Sequence, residues 1–339
     1  MLSFIQHSSL VKIIIQFAGI IAVLCSAVLS IVYGVADIKL ETVWRAVIEF
    51  DPENTSHQII RELRLPRVVG AVLVGAFLAV SGAIMQGMTR NPLASPSIMG
   101  VTDGAAFALV ITLAFIPGIS TIGMTIASLV GAGIAVGLVF MVGSLSTSGL
   151  TPVKLALAGV AIGTLLSSVS SIIALHFNLE KQLGFWLAGG LAGTGWTSIQ
   201  ILLIAGGIGL VIAFAIARSI TVLNLGEDVA AGLGQRNIMI KLMGILTVLI
   251  LTGSAVSVAG AIGFLGLIIP HMTRFIMGTD YRWIIPASAI FGALLLVLSD
   301  IGSRLINAPF ETPVGAITSL IGVPFFLYLA RGNSGGGKS

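Results

Sequence analysis

At 339 residues, 56% of them hydrophobic and 9% charged, the chain has a mean hydropathy of +1.10, whereas soluble domains carry roughly a quarter charged residues. That composition excludes an ordinary soluble enzyme and places the chain in a bilayer, as one membrane domain over 1–339, because no polar stretch is large enough to fold apart. The net charge of +4 comes from basic residues scattered singly between apolar runs, which excludes a nucleic-acid surface.

The first run, Val11–Tyr33, reads as an uncleaved helix. It holds Cys25, the single cysteine, so neither a disulfide nor a thiolate metal site can form within the chain. Between Gly34 and Leu65, the stretch Glu41–Phe50 places Val43, Val47 and Phe50 on one face and is stopped by Asp51-Pro52, which predicts a short surface helix. A crossing needs roughly 20 apolar residues. By that rule about ten spans follow, centred near residues 22, 77, 107, 132, 165, 208, 248, 268, 292 and 321. The span at Leu267 is short.

An N-terminus inside puts Arg90, Lys154, Arg218, Arg236, Lys241, Arg274, Arg282, Arg331 and Lys338 in the cytoplasm, as the bias of Lys and Arg toward inner loops requires. Arg61, Arg64 and Arg67, with Arg304 after the ninth span, go against that bias. The segment Asn178–Gly190 is too short to span and is expected at the outer interface, with Trp186 and Trp196 at headgroup level. Small residues four apart let membrane helices approach closely, and the pairs Gly133 and Gly137, Gly159 and Gly163, and Gly189 and Gly193 fit that role.

A break at 223–237 sets Glu227 and Asp228 at a helix start, Val229, Ala230, Ala231 and Leu233 on an apolar face, and Gly234 at the stop. A plain connecting helix and a helix that enters a groove on another protein both fit. Ser257–Arg274 combines Gly260, Gly263 and Gly266 with a Pro270-His271 break. Broken backbone at membrane depth is tolerated where it is buried in protein or lines a watery cavity, so a kinked packing helix and a pathway or gate element remain open. Asp300 and Arg304 stand one turn apart and can pair. Asp103 falls near the start of its span, close to water.

No series of buried carboxylates is present for a proton relay, and inverted repeats are not evident, which argues against an ion-coupled secondary transporter. The four histidines lack the paired spacing of a metal site, and no nucleophile stands beside a base. Catalytic residues, metal ligands and cofactors are therefore not expected. The final residues, 332–339, match a phosphate-binding loop pattern, but such a loop needs a strand before it and a helix after it. A flexible tail is expected there, and any ATP hydrolysis belongs to a partner.

Five blocks in order carry a resemblance: ArgLeuProArg at 64–67, the run from Ser81 to Ala105, Leu225–Gly234, Gly260–Arg274, and the SDIGSR and ETPVGA segments between Ser299 and Ala316. Together they resemble the FecCD-type permeases of iron-siderophore and vitamin B12 importers over nearly the whole chain, with the loop at 50–60 nearest to siderophore permeases of Gram-positive bacteria. The resemblance implies an all-α membrane protein of the type II ABC importer permease fold, with ten transmembrane helices, in the bacterial cell membrane with both termini cytoplasmic. It implies transport of iron(III)-siderophore complexes by alternating access, with cobalamin or haem as the alternative cargo. Implied partners are a second permease subunit, expected as a paralogue, two ATP-binding ABC subunits, and an extracytoplasmic siderophore-binding protein. Arg64, Arg67 and Arg304 match docking arginines for the binding protein. Leu225, Gly226, Glu227, Asp228, Ala231 and Gly234 match the helix pair that couples to the ATPase. Gln86, Asn91, Gly263, Gly266, Pro270 and His271 fall in matched blocks and are pathway or gate candidates.

Overall fold

The computed structural model describes residues 8–33, 39–144, 152–308 and 310–333. Among these every regular element is a helix. The first is α1, Ser9–Val32, and a surface helix α2, Leu40–Ile48, follows it. A single turn, α3 (Thr55–Gln58), runs through a π-helical turn at Ile59–Arg64 into α4, Leu65–Thr89. Then come α5 (Val101–Phe115), α6 (Thr121–Ser144), α7 (Pro152–His176) and the short α8 (Glu180–Ala188). The chain ends with α9 (Trp196–Asn224), α10 (Glu227–Gly232), α11 (Asn237–Ala259), α12 (Leu265–Met277), α13 (Tyr281–Leu305) and α14 (Val314–Asn333). Among the described residues seven helices are long and apolar enough to cross a membrane, and Val101–Phe115, Leu265–Met277 and Val314–Leu327 are shorter apolar helices. Together they occupy the ten expected positions.

The bundle is built around α4, whose most apolar stretch is 83% buried, against 17% for α1 and α7. A helix enclosed on all sides must let neighbours approach its backbone, and in lipid small residues allow this. A Cβ on Gly75 would strike the backbone of Gly292, one on Gly82 the backbone of Gly266, and one on Gly104 the backbone of Gly131. These are not the pairs that spacing suggests. Gly133, Gly137 and Gly193 have no atom within 4 Å of a built Cβ. Four-residue spacing identifies a smooth helix face but not whether that face turns inward.

The surface helix forms as expected, with its inner face rotated. Val43 and Ala46 are buried against Ile31, Ile60 and Val68, while Val47 is exposed. The Asn178–Gly190 segment holds α8, whose half-buried Trp186 packs against the core. Its backbone carbonyl accepts from Ala261 N at 3.3 Å, and Gly190 N donates to Ala259 O at 2.9 Å, which ties α8 to the end of α11.

Two breaks bring irregular backbone inside the bundle. After α4 the chain turns at Arg90 (φ 50), forms a 3₁₀ turn at Pro96–Met99 and enters α5 through Gly100 (φ 71). A Cβ on Gly100 would lie 3.7 Å from Gly159 O and 4.0 Å from Gly163 N of α7. The helix α5 therefore starts well inside the bundle. The second break joins α11 to α12 through Gly260 (φ 67) and Phe264 (φ 67). For Phe that left-handed conformation is strained, and its ring lies against Gly322 of α14.

Candidate functional site

Four places bear on function. At the end of the bundle that carries Val32, Leu65 and Leu305, five charged side chains and the open end of α1 meet. The last carbonyls of a helix lack intrahelical partners and attract cations. Arg304 supplies one: its Nη1 donates to Ser30 O at 2.9 Å and Tyr33 O at 3.0 Å, and its Nη2 donates to the Ser30 hydroxyl. Arg64 Nη1 donates to Ile31 O and to Val32 O at 2.9 Å. Asp300, fully buried, is shared: it accepts from Arg304 Nη2 and from Arg67 Nε, each at 2.9 Å. Arg67 also reaches Glu311 Oε1 at 2.7 Å. The pair anticipated between Asp300 and Arg304 is present. The guanidiniums of Arg64 and Arg304 are turned into the fold, with both residues buried, Arg67 is largely covered, and Glu311 forms the exposed edge.

A second place gathers some of the pathway candidates. Gln86, buried on α4, donates through Nε2 to Leu267 O at 3.2 Å and accepts from Arg274 Nη2 at 2.6 Å through Oε1. It lines a concavity of about 460 Å³ together with Arg90, Asn224, His271 and Arg274. The buried Nδ1 of His271 has no hydrogen-bond partner among the described residues, and its ring meets Phe325 edge-on. Gly266 supports this site from behind through its contact with Gly82, and Pro270 is buried. Asn91 is elsewhere, capping its own turn by accepting from Leu93 N at 2.9 Å and lining a separate small cleft. A Cβ on Gly263 would meet open space.

The third place is the segment 223–237. It contains one short helix, α10, rather than a pair. Ala230 is fully buried, so the apolar face divides: Ala230 holds the helix to the bundle, while Leu225, Val229 and Leu233 are exposed. Gly226 (φ 138) and Gly234 (φ 79) supply the turns on either side. Lys241 Nζ pairs with Glu227 Oε2 at 2.7 Å, Asn237 Nδ2 donates to Glu227 O at 2.8 Å, and Gln235 Nε2 donates to Ser219 O at 3.2 Å. Asp228 and Ala231 are exposed. The result is an apolar patch held firmly at the end of the bundle opposite the arginine cluster.

The fourth place joins Asp103, named from the sequence, to hydroxyls of α7 that the sequence reading did not single out. Asp103, in the first turn of α5, packs against Gly163 of α7, where a Cβ would lie 2.6 Å from Asp103 Oδ2. Gly163 is 11 residues beyond Pro152, or about 16 Å along the helix, so the first turn of α5, with half-buried Asp103, packs against the middle of α7. The reason is the inward-diving 3₁₀ turn, which starts α5 late. Asp103 lines an open concavity of about 340 Å³ with Ser97, Thr164, Ser167 and Ser168. The hydroxyls recur at one-turn spacing along α7, and that periodicity is the signal that could have found them.

Among the described residues no group of three His, Cys, Asp or Glu could hold a metal ion. Comparison with known proteins gives this arrangement a context. Residues 21–332 match the model of the FecCD transport family. The chain is 59% identical over 319 residues to the iron(3+)-hydroxamate import system permease protein FhuB of Bacillus subtilis (strain 168), covering 94% of this chain and 83% of that protein. It is 45% identical to the iron-uptake system permease protein FeuB of the same organism, covering 95% and 96% of the two chains. With the cobalamin import system permease protein BtuC of Halobacterium salinarum it shares 38% identity, over 86% of this chain and 78% of that one. Among solved structures, a metal-chelate type ABC transporter in an inward-facing conformation superposes with a TM-score of 0.82 at 29% identity, covering 94% of this chain and 98% of that one.

Proposed function

The chain belongs to the FecCD transport family, and from that premise we propose that it is the membrane-spanning permease subunit of an ATP-driven importer that carries iron(III)-hydroxamate complexes. The observation that carries the cargo is the 59% identity, sustained over 94% of the chain, to a permease of iron(3+)-hydroxamate import. Identity to the cobalamin permease is 38%, which ranks cobalamin below the hydroxamates.

The remaining assembly follows from surfaces that a lone chain leaves open. Exposed Leu225, Val229 and Leu233 on a rigidly held helix suit a groove on another protein, and we assign Leu225, Gly226, Glu227, Asp228, Ala231 and Gly234 to coupling with an ABC ATPase, one of two below a permease pair. The second permease, expected as a paralogue, covers the flank of α7 that carries exposed Leu165 and Ile172. An extracytoplasmic binding protein docks at the arginine cluster, with Arg67 nearest the surface beside exposed Glu311 and with Arg64 and Arg304 as its buried base. Both termini are cytoplasmic on this reading, which the distribution of Lys and Arg supports. ATP-driven closure of the ATPase pair moves α10, and the breaks around Gln86, Gly263, Gly266, Pro270 and His271 let the pathway open on alternate sides. Cells that lack the gene, tested with and without a restoring copy, should lose and regain iron-55 uptake from hydroxamate complexes. Unchanged uptake in cells with no second hydroxamate system would reject this reading.

A further inference from the structure

We propose that Asp103 and the hydroxyl stripe of α7 form a ligand-contacting wall that selects hydrogen-bond donors and positive charge on the ferric complex; this rests on the hydroxamate-importer reading above. Four observations carry it. The concavity is open and holds about 340 Å³. Asp103 has no cation within ion-pair distance among the described residues. Its position in the first turn of α5 lets the helix N-terminus stabilise the carboxylate without one.

The fourth observation concerns the hydroxyls. Thr164 Oγ1 donates to Val160 O and Ser168 Oγ donates to Thr164 O, both at 2.8 Å, and Ser171 Oγ donates to Ser167 O at 2.9 Å. The Thr164 and Ser168 hydroxyls, which line the concavity, each have one hydrogen to give, and it is already given to the helix. What these groups turn toward the concavity is therefore oxygen lone pairs. With an ionised Asp103, which can only accept, the carboxylate and the Thr164 and Ser168 oxygens form an acceptor strip along the wall, beside the Ser167 hydroxyl. An ionisable residue at this depth is retained where it faces a water-filled cavity. The ligand that matches has amide N–H or ammonium groups on its periphery and no net negative charge. Neutral and cationic hydroxamate complexes fit. Anionic carboxylate or catecholate complexes meet uncompensated repulsion.

The test uses the complete importer in cells and two iron-55 complexes that differ by one charge: a linear ferric trihydroxamate with a free ammonium, and its N-acetylated neutral counterpart. Uptake rates are divided by the affinity of the binding protein for each, so that delivery is removed from the comparison. The unaltered importer should favour the ammonium form by about tenfold, the effect of one desolvated charge contact. Asp103→Asn should bring the ratio to about one, and Asp103→Glu should restore it. Ser168→Lys, at an exposed position that leaves the core intact, should also abolish the preference by placing a cation opposite Asp103. This second variant keeps the proposal testable if Asp103→Asn fails to accumulate. An unaltered ratio in either variant, or no preference in the unaltered importer, overturns the Asp103 wall and leaves the importer reading standing. If the unaltered importer takes up neither complex, the hydroxamate reading fails and the wall falls with it.

Discussion

Arg304 closes the C-terminal end of the first helix through Ser30, donating to both its carbonyl and its hydroxyl, while Asp300 one turn back on α13 neutralises the guanidinium. Two segments 274 residues apart are thereby joined by one side chain. The same Asp300 binds Arg67, so the cluster is a charge network in which each member holds the next.

Removing one partner from such a network leaves a charge without compensation. Arg304→Met should cost about 3–5 kcal/mol, the range for breaking a buried ion pair, and should appear as a lower melting temperature of the purified protein in detergent. Glu311→Gln, at the exposed edge, should cost less than about 1 kcal/mol. Equal effects from the two would contradict the buried placement of Arg304.

Backbone contact at Gly82 leads to a sharper expectation. Gly82→Ala places a methyl group into the backbone of Gly266, and overpacking of that kind costs about 1–3 kcal/mol or more. Gly133→Ala, with nothing within 4 Å of the new atom, should change stability by less than about 1 kcal/mol. Quantities of folded protein in the membrane, followed by size-exclusion profiles, separate the two.

Introducing charge on α10 tests coupling apart from folding. Leu233→Glu and Val229→Glu alter exposed positions, so membrane insertion should be retained while ATP-dependent uptake falls by at least tenfold. Retained transport in both would remove α10 from the coupling surface.

The turn into α13 has a predictable acid limit. Burial alone would raise the pKa of Asp280, but hydrogen bonds from Arg282 and the charge of that guanidinium outweigh it and hold the carboxyl below its usual value. A group whose folded pKa is depressed adds stability above its unfolded value, near 3.9, and that contribution is lost as pH falls through the folded pKa. Asp280→Asn should therefore narrow its difference from the unaltered protein only below about pH 4, and should leave the pH profile between 6 and 8 unchanged, as read from thermal unfolding in detergent.

Much of this architecture was legible in the residues. Hydrophobic runs located ten helices because a bilayer requires long apolar segments whatever the tertiary contacts are. The Asp300 and Arg304 pair was legible because four-residue spacing on a helix is a local property. What could not be read was which side of each helix faces inward. Gly133 and Gly137 have the same spacing as true contact glycines yet face open space, while Gly75 and Gly292 touch across 217 residues of chain. Val47 looked like the inner face of the surface helix, but Ile60 and Val68 pack against Val43 and Ala46 instead. Asp103 was legible as a residue near a helix start, but only the path of Pro96–Met99 shows that this start packs against Gly163 in the middle of α7. Arg64 and Arg304 stood out by their sign, whereas their bonds to the end of α1 depend on a meeting of segments that no local pattern records.

The most direct measurement is iron-55 hydroxamate uptake into proteoliposomes that contain the assembled importer, its binding protein and internal ATP, compared with an assembly prepared without this chain. The account predicts ATP-dependent accumulation only when the chain is present, and loss of it with Leu233→Glu. Equal accumulation without the chain, or accumulation independent of ATP, would contradict its role as the translocating subunit.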